Sequence, residues 1–248
     1  MTDLWYEDKG AGPPVVLLHE GVVDSRIWEP FVPLVTDRLR TIAYDQRGYG
    51  RSPMWTGPYS VVDDLVSVLD AADVDRAALV GTSRGGRIAI QAALERPERI
   101  SALVLVASGL AGRPLELEGT PEQEARWEAA EAAGDLDELA EIDMEFWAPM
   151  GADDRLRAMF VENAAASNAD DPAEEVPSAS RLGEIAVPTL VITGARDVKA
   201  INELGELLAA EIPGAWHAVI EDADHMVQWR APEELARLVL DFLQNGRS

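Results

Sequence analysis

Short, continuous apolar runs alternate along this chain with stretches whose apolar residues recur at helical spacing. Residues 15–18 (VVLL), 77–80 (AALV), 102–106 (ALVLV) and 188–193 (PTLVIT) read as strands covered on both faces, and 218–220 as a shorter one. Arg40–Tyr44 (RTIAY) is a further strand. Val61–Ala71 places Val and Leu at helical spacing, with Asp63, Asp64 and Asp70 on the opposite side. Residues 87–94 (RIAIQAAL) predict a mostly buried helix, and 232–243 (PEELARLVLDFL) a closing one. This rhythm predicts an α/β domain with a mostly parallel central sheet flanked by helices. Near the start, residues 4–7 and 15–18 flank a turn-rich Gly10-Ala11-Gly12-Pro13-Pro14 and predict a hairpin.

From about residue 112 to 184 strand signals vanish and Glu, Ala and Asp dominate. This stretch reads as a helical cap inserted into a core made of residues 1–111 and 185–248. Its large apolar groups are Trp127, Met144, Phe146, Trp147, Met150, Met159 and Phe160. They are expected to build the insert's own core, with some of them lining a pocket over the sheet. Residues 168–180, polar and Pro-containing, predict a loop.

At 248 residues, 47% hydrophobic and 27% charged, the composition is that of a globular domain. No apolar run approaches the ~20 residues a membrane-spanning helix needs. The opening MTDLWYEDKG lacks the basic start and apolar stretch of a signal peptide, so a cytoplasmic location is expected. Without cysteine there are no disulfides, thiolate nucleophiles or Cys-based zinc sites. A net charge of −24 repels phosphate backbones and argues against nucleic-acid partners. It fits salt adaptation or a GC-rich genome equally.

Residues 81–85 read G-T-S-R-G, directly between a predicted strand and a predicted helix. In that context the pattern makes Ser83 a nucleophile on a sharp turn, with the helix start offering N–H groups to an oxyanion. Such a serine needs a base, and there are three histidines to choose from. His225, in the loop after the last strand, lies where catalytic groups gather in an open sheet. His217 falls in or before that strand, and His19 precedes a glycine turn that it is expected to brace. The imidazole then needs a carboxylate. Asp197, in TGARD after strand 188–193, is at the right edge, whereas Asp222 and Asp224 sit close enough to His225 to cap its turn. The order Ser83, Asp197, His225 differs from those of the chymotrypsin-like and subtilisin-like chains.

LLHEGVVDSRIW, YDQRGYGRS, VGTSRGGRIAIQAALERPERI, TGARD and ADHMVQWRAPEEL together resemble the α/β-hydrolase fold over essentially the whole chain. The nearest pattern is the compact bacterial branch of small carboxylesterases and 3-oxoadipate enol-lactonases. The resemblance implies a sheet of about seven or eight strands with a helical cap, the first edge strand being absent or very short here. It places the oxyanion donors at the backbone N–H groups of Gly21 and Arg84. Asp45, Arg47 and Ser52 are then structural. Two positions depart from the pattern. Glu20 replaces a usual glycine, and it either pairs with an arginine such as Arg84 or Arg26 or reaches substrate or water. Arg84 replaces an uncharged residue, and it either reads a substrate anion or is held by an internal carboxylate. Glu20, Trp28, Trp127, Phe146 and Trp147 are the candidate substrate contacts.

The function implied is hydrolysis of small-molecule esters or lactones through an acyl-enzyme, with no metal and no organic cofactor, by a monomer or homodimer. Carbon–carbon bond hydrolysis and perhydrolase activity use the same triad. A ligand receptor that keeps the triad with little turnover is the reading from another class.

Overall fold

The computed structural model describes residues 2–115, 119–174 and 176–245. Among these, one sheet contains β1 (Tyr6–Lys9), β2 (Pro14–Leu18), β3 (Arg40–Tyr44), β4 (Ala77–Thr82), β5 (Ile100–Val106), β6 (Thr189–Gly194) and β7 (Trp216–Ile220). Their spatial order is β1-β3-β2-β4-β5-β6-β7, with β1 antiparallel to β3 and every other pair parallel. Parallel neighbours require crossovers. Helices α1 (Val32–Val35), α2 (Val61–Ala71) and α3 (Arg84–Glu95) lie in those between β2 and β5. The insert between β5 and β6 carries α4 (Pro121–Ala133), α5 (Leu136–Trp147) and α6 (Asp154–Ser167). After β6 come α7 (Lys199–Glu211), α8 (Val227–Arg230) and α9 (Pro232–Asn245).

The expected hairpin does not form. β1 pairs with β3, Tyr6 opposite Tyr44 and Lys9 opposite Thr41, while both edges of β2 are taken by β3 and β4. The burial of the two strands explains the choice. β2 is apolar on both faces and belongs inside the sheet, whereas YEDK is largely exposed and suits an edge. Gly10 and Gly12, at φ 84° and 134°, let the intervening turn lie against the backbone carbonyls of Leu39 and Arg38, where a Cβ would collide.

Alternation along the strands sends Val15 and Leu17 to one face and Val16 and Leu18 to the other, into two separate apolar layers. The first layer holds Trp28, Phe31 and Phe242, and the second receives the buried faces of α2, α3 and α7. Trp28 is therefore not a substrate contact. It ends a short 3₁₀ turn capped by Asp24, is fully buried, and packs edge-on to Phe31 at 5.5 Å.

The cap helices start and stop on local signals. Thr120 and Gln123 form a reciprocal capping box around Pro121, Gly134 at φ 66° ends α4, and Asp135 and Asp153 cap α5 and α6. Their inner faces are only partly a core of their own: Ala130, Leu139 and Ile142 are buried outside both layers. Ala140, Met144, Leu156, Met159 and Phe160 join the layer that contains Trp28, so the cap is seated on the sheet side of the molecule. Met150 instead is exposed. No described helix is long and apolar enough to cross a membrane.

Candidate active site

Ser83 sits on the turn between β4 and α3 with φ 52° and ψ −112°, a backbone state that costs a non-glycine residue of order 1–3 kcal/mol. The fold holds it there. Its N–H donates to the Val106 carbonyl (3.0 Å), and its carbonyl accepts from Gly109 (3.0 Å) and Arg87 (3.1 Å). The flanking glycines are required by close approach. A Cβ on Gly81 would collide with the Gly85 carbonyl, and one on Gly85 with the carbonyl of Leu18 on the neighbouring strand. The spacing G-x-S-x-G is thus a packing condition for the turn.

Asp197 follows β6, and its Oδ2 accepts from His225 Nδ1 at 2.8 Å while Oδ1 accepts from the Val198 N–H (2.7 Å). Both side chains are buried. Burial works against a protonated His225, but the charge and hydrogen bond of Asp197, then Glu20 and Asp224, outweigh it and lift its pKa above the ordinary histidine value. Trp147 of the cap lies 4.5 Å from the imidazole, centroid to centroid. The competing carboxylates are occupied elsewhere. Asp222 pairs with Arg196 at the surface, and Asp224 pairs with Arg230 (2.9 Å) and accepts from the Met226 and Met150 N–H groups. Arg230 also donates to the Gly151 carbonyl, so this pair fastens the α5–α6 turn to the histidine loop. His217 is bonded to Thr193 on the outer strand pair.

His19 braces the loop before Gly21, as expected. Its Nδ1 donates to the Glu20 carbonyl (2.7 Å), its Nε2 accepts from the Gln46 N–H (2.9 Å), and burial keeps it neutral. Tyr49 Oη donates to the Gly21 carbonyl at 3.0 Å, which turns that peptide.

Glu20 pairs with neither Arg84 nor Arg26. It is fully buried, and both its carboxylate oxygens accept from Gln228 Nε2 at 2.9 Å. Burial, only partly opposed by its own N–H, His225 and Gln228, pushes its pKa up to about 7. Arg26 pairs with Asp24 and Glu162. The Arg84 guanidinium is held by an internal carboxylate, Asp171 (2.7 Å), and donates to Gln46 Oε1 (2.8 Å) and Tyr59 Oη (3.1 Å). Asp45 is structural, accepting from Ser25 and Arg51, and Arg47 ties Asp3 to Asp64.

Ser83, His225, Glu20, Gly21, Arg84 and Trp147 share the wall of a cavity of about 240 Å³. A separate groove of about 490 Å³ in the cap is lined by Trp127, Phe146 and Trp147. Only Trp147 of the predicted aromatic set reaches both. Tyr49, Arg87, Leu115 and Ser167 also line the cavity that holds Ser83 and were not expected there. Arg87 was legible in principle, one helical turn after Ser83. Leu115 and Ser167 reach the cavity only through the packing of the insert. Among the described residues no group of three or more His, Asp or Glu side chains is placed to hold a metal ion.

A family model described as alpha/beta hydrolase fold matches residues 13–232. The chain is 31% identical over 260 residues to a 2-hydroxy-6-oxononadienedioate/2-hydroxy-6-oxononatrienedioate hydrolase of Cupriavidus pinatubonensis, covering 96% of this chain and 89% of that one. It is also 31% identical over 259 residues to a pimeloyl-[acyl-carrier protein] methyl ester esterase of Methylococcus capsulatus, covering 98% and 99%. Among solved structures, the enol-lactonase of Burkholderia xenovorans LB400 superposes with a TM-score of 0.80 at 26% identity, covering 97% and 96%.

Proposed function

This chain belongs to the alpha/beta hydrolase fold family and is a hydrolase, and from that premise we propose that it cleaves carboxylic ester or lactone bonds of small molecules. One observation carries this reading. A serine on a strained strand-to-helix turn and a histidine bonded to a buried aspartate at 2.8 Å open onto the same cavity.

In the proposed reaction Ser83 Oγ attacks the carbonyl carbon and its proton passes to His225 Nε2, the ring nitrogen not engaged by Asp197. Asp197 holds that tautomer and offsets the imidazolium charge. The oxyanion is met by the N–H groups of Gly21 and Arg84, the latter at the positive end of α3. Collapse breaks the carbonyl carbon–oxygen bond, and the alkoxide takes the proton from His225. Water, deprotonated by His225, then attacks the acyl-enzyme and releases the acid and Ser83.

The esterase and enol-lactonase relatives support the ester and lactone reading. The Cupriavidus relative favours a second one. The substrate in its name holds carboxylates, a hydroxyl and a ketone but no ester, so its hydrolysis breaks a carbon–carbon bond. The charge of Arg84, already offset by Asp171, speaks against a dianionic substrate bound at that residue.

Fluorophosphonate labelling tests the assignment. Wild type is expected to label and to turn over p-nitrophenyl acetate, and Ser83→Ala to lose labelling and about 10⁴-fold or more of the turnover. A panel of esters, lactones and vinylogous diketones then separates the two bond types. A wild-type protein that neither labels nor turns over p-nitrophenyl acetate refutes both readings, and a ligand-induced rise in melting temperature would then identify a binder.

A further inference from the structure

Glu20 is a buried charge to which the proposed reaction gives no role. It immediately precedes Gly21 in the oxyanion loop, and its side chain has no contact with solvent. Both carboxylate oxygens accept from the same nitrogen, Gln228 Nε2, at 2.9 Å. Gln228 lies three residues beyond His225, and its Oε1 accepts from Thr82 Oγ1 at 3.3 Å. Thr82 immediately precedes Ser83. A single buried chain of hydrogen bonds, Glu20–Gln228–Thr82, therefore joins the oxyanion loop, the histidine loop and the nucleophile turn. All three side chains are fully buried.

A buried carboxylate demands a compensating positive charge. Three nearby arginines are committed to other carboxylates: Arg84 to Asp171, Arg26 to Asp24 and Glu162, and Arg230 to Asp224. The positive group that shares the catalytic cavity with Glu20 and changes its charge during the reaction is His225. The other charged groups around the pair are Asp197 on His225 Nδ1, Asp224 on Arg230, and Arg84 and Arg87 at the start of α3.

We propose that Glu20 is a positioning residue of the hydrolytic site: through Gln228 and Thr82 it holds the oxyanion loop in register with the nucleophile turn, and its negative charge stabilises the imidazolium form of His225. The inference rests on Ser83 and His225 being the nucleophile and base proposed above. Glu20 is then a second carboxylate serving the same histidine. Asp197 acts by a direct hydrogen bond, and Glu20 acts through space from the wall of the cavity it shares with the histidine. The arrangement has a counter-effect. The charge that favours imidazolium opposes the oxyanion at the neighbouring Gly21 N–H, so Glu20 trades oxyanion stabilisation for basicity. Its near-neutral ionisation follows from burial, only partly offset by its own N–H, His225 and Gln228 Nε2.

The rate of Ser83 labelling by a fluorophosphonate, followed from pH 5 to 9, reads the protonation of His225 without knowledge of the natural substrate. Glu20→Gln keeps the size and one acceptor oxygen for Gln228 Nε2, replaces the other by an amide donor, and removes the charge. Its acid limb is expected to move down by about one pH unit, because a carboxylate lining the same cavity favours the protonated histidine by that order. Thr82→Val cuts the chain at the serine end and leaves the charge. It is expected to lower the plateau rate a few-fold with the limb in place. A limb that stays within a fifth of a unit (~0.2) in a folded, labelled Glu20→Gln protein overturns the charge role. An unchanged plateau in Thr82→Val overturns the strap. Should Glu20→Gln not fold, NMR titration of His225 in wild type decides: two coupled steps support the inference, and a single simple step refutes it. Absence of labelling in wild type fails the serine-hydrolase reading instead, a result distinct from all of these.

Discussion

Arg84 separates what a residue does with its backbone from what it does with its side chain. Its N–H heads α3 beside Ser83, while its guanidinium reaches away to Asp171, Tyr59 and Gln46. Arg84→Met keeps the first and removes the second. The ratio of kcat/KM for anionic against neutral esters is expected to change less than about threefold, because the guanidinium is turned to Asp171 and the carboxylate left behind does not line the cavity. Stability is expected to fall by about 3 kcal/mol, since Asp171 is left largely buried with only neutral donors, Tyr59 Oη and the Ala173 N–H, which lowers Tm by roughly 6–12 °C. Kinetics on a matched ester pair and a thermal melt check both; a tenfold swing in the ratio would make Arg84 a substrate anion reader. The local pattern around Ser83 was legible because its glycine conditions act over four residues. The partner of Arg84 was not, because nothing local joins it to a carboxylate in the loop after α6.

At the scale of elements, polar groups fasten the cap to the core and its helices to one another. Asp224 and Arg230 hold the α5–α6 turn, and Asp143 of α5 accepts from Ser167 (3.1 Å) at the end of α6. Burial, only partly opposed by Ser167 and Asn168, pushes the Asp143 carboxyl up to about 6. A carboxyl whose folded pKa exceeds its unfolded one binds more protons when folded, so its contribution to stability falls as pH rises from about 4 to about 6. Asp143→Asn removes that loss. Relative to wild type the variant is expected to gain on the order of 3 kcal/mol between pH 4 and pH 7.5, read by urea unfolding at each pH. A difference independent of pH would mean that Asp143 ionises as freely folded as unfolded. The helices themselves were readable from the loss of strand signals and the run of Glu, Ala and Asp. That their inner faces join the sheet's own apolar layer was not, since amphipathicity marks an apolar face without naming what covers it. The same gap misplaced Trp28, which reads as a large aromatic near a reactive loop and is a core residue.

For the whole molecule, the net charge of −24 governs how stability responds to salt. Many of its arginines are paired at the surface, for example Arg196 with Asp222 and Arg40 with Asp8, and such pairs contribute little each. Repulsion among the surplus carboxylates acts on the compact state and is screened by salt. Raising NaCl from about 10 mM to about 500 mM is therefore expected to raise Tm by a few degrees. A falling Tm would mean that the surface pairs outweigh the net repulsion.

The amino-acid sequence by itself determined the parallel core, the cap and its place in the chain, the strained serine turn, and the order of serine, aspartate and histidine. Each depends on periodicities, turn residues and spacings that act over a few positions. Tertiary structure alone decided the pairing of β1 with β3, the burial of Trp28, and the partners of Arg84 and Glu20. Those are choices among chemically equivalent partners far apart in the chain, and only the packing of the whole sheet and cap determines which of them meet.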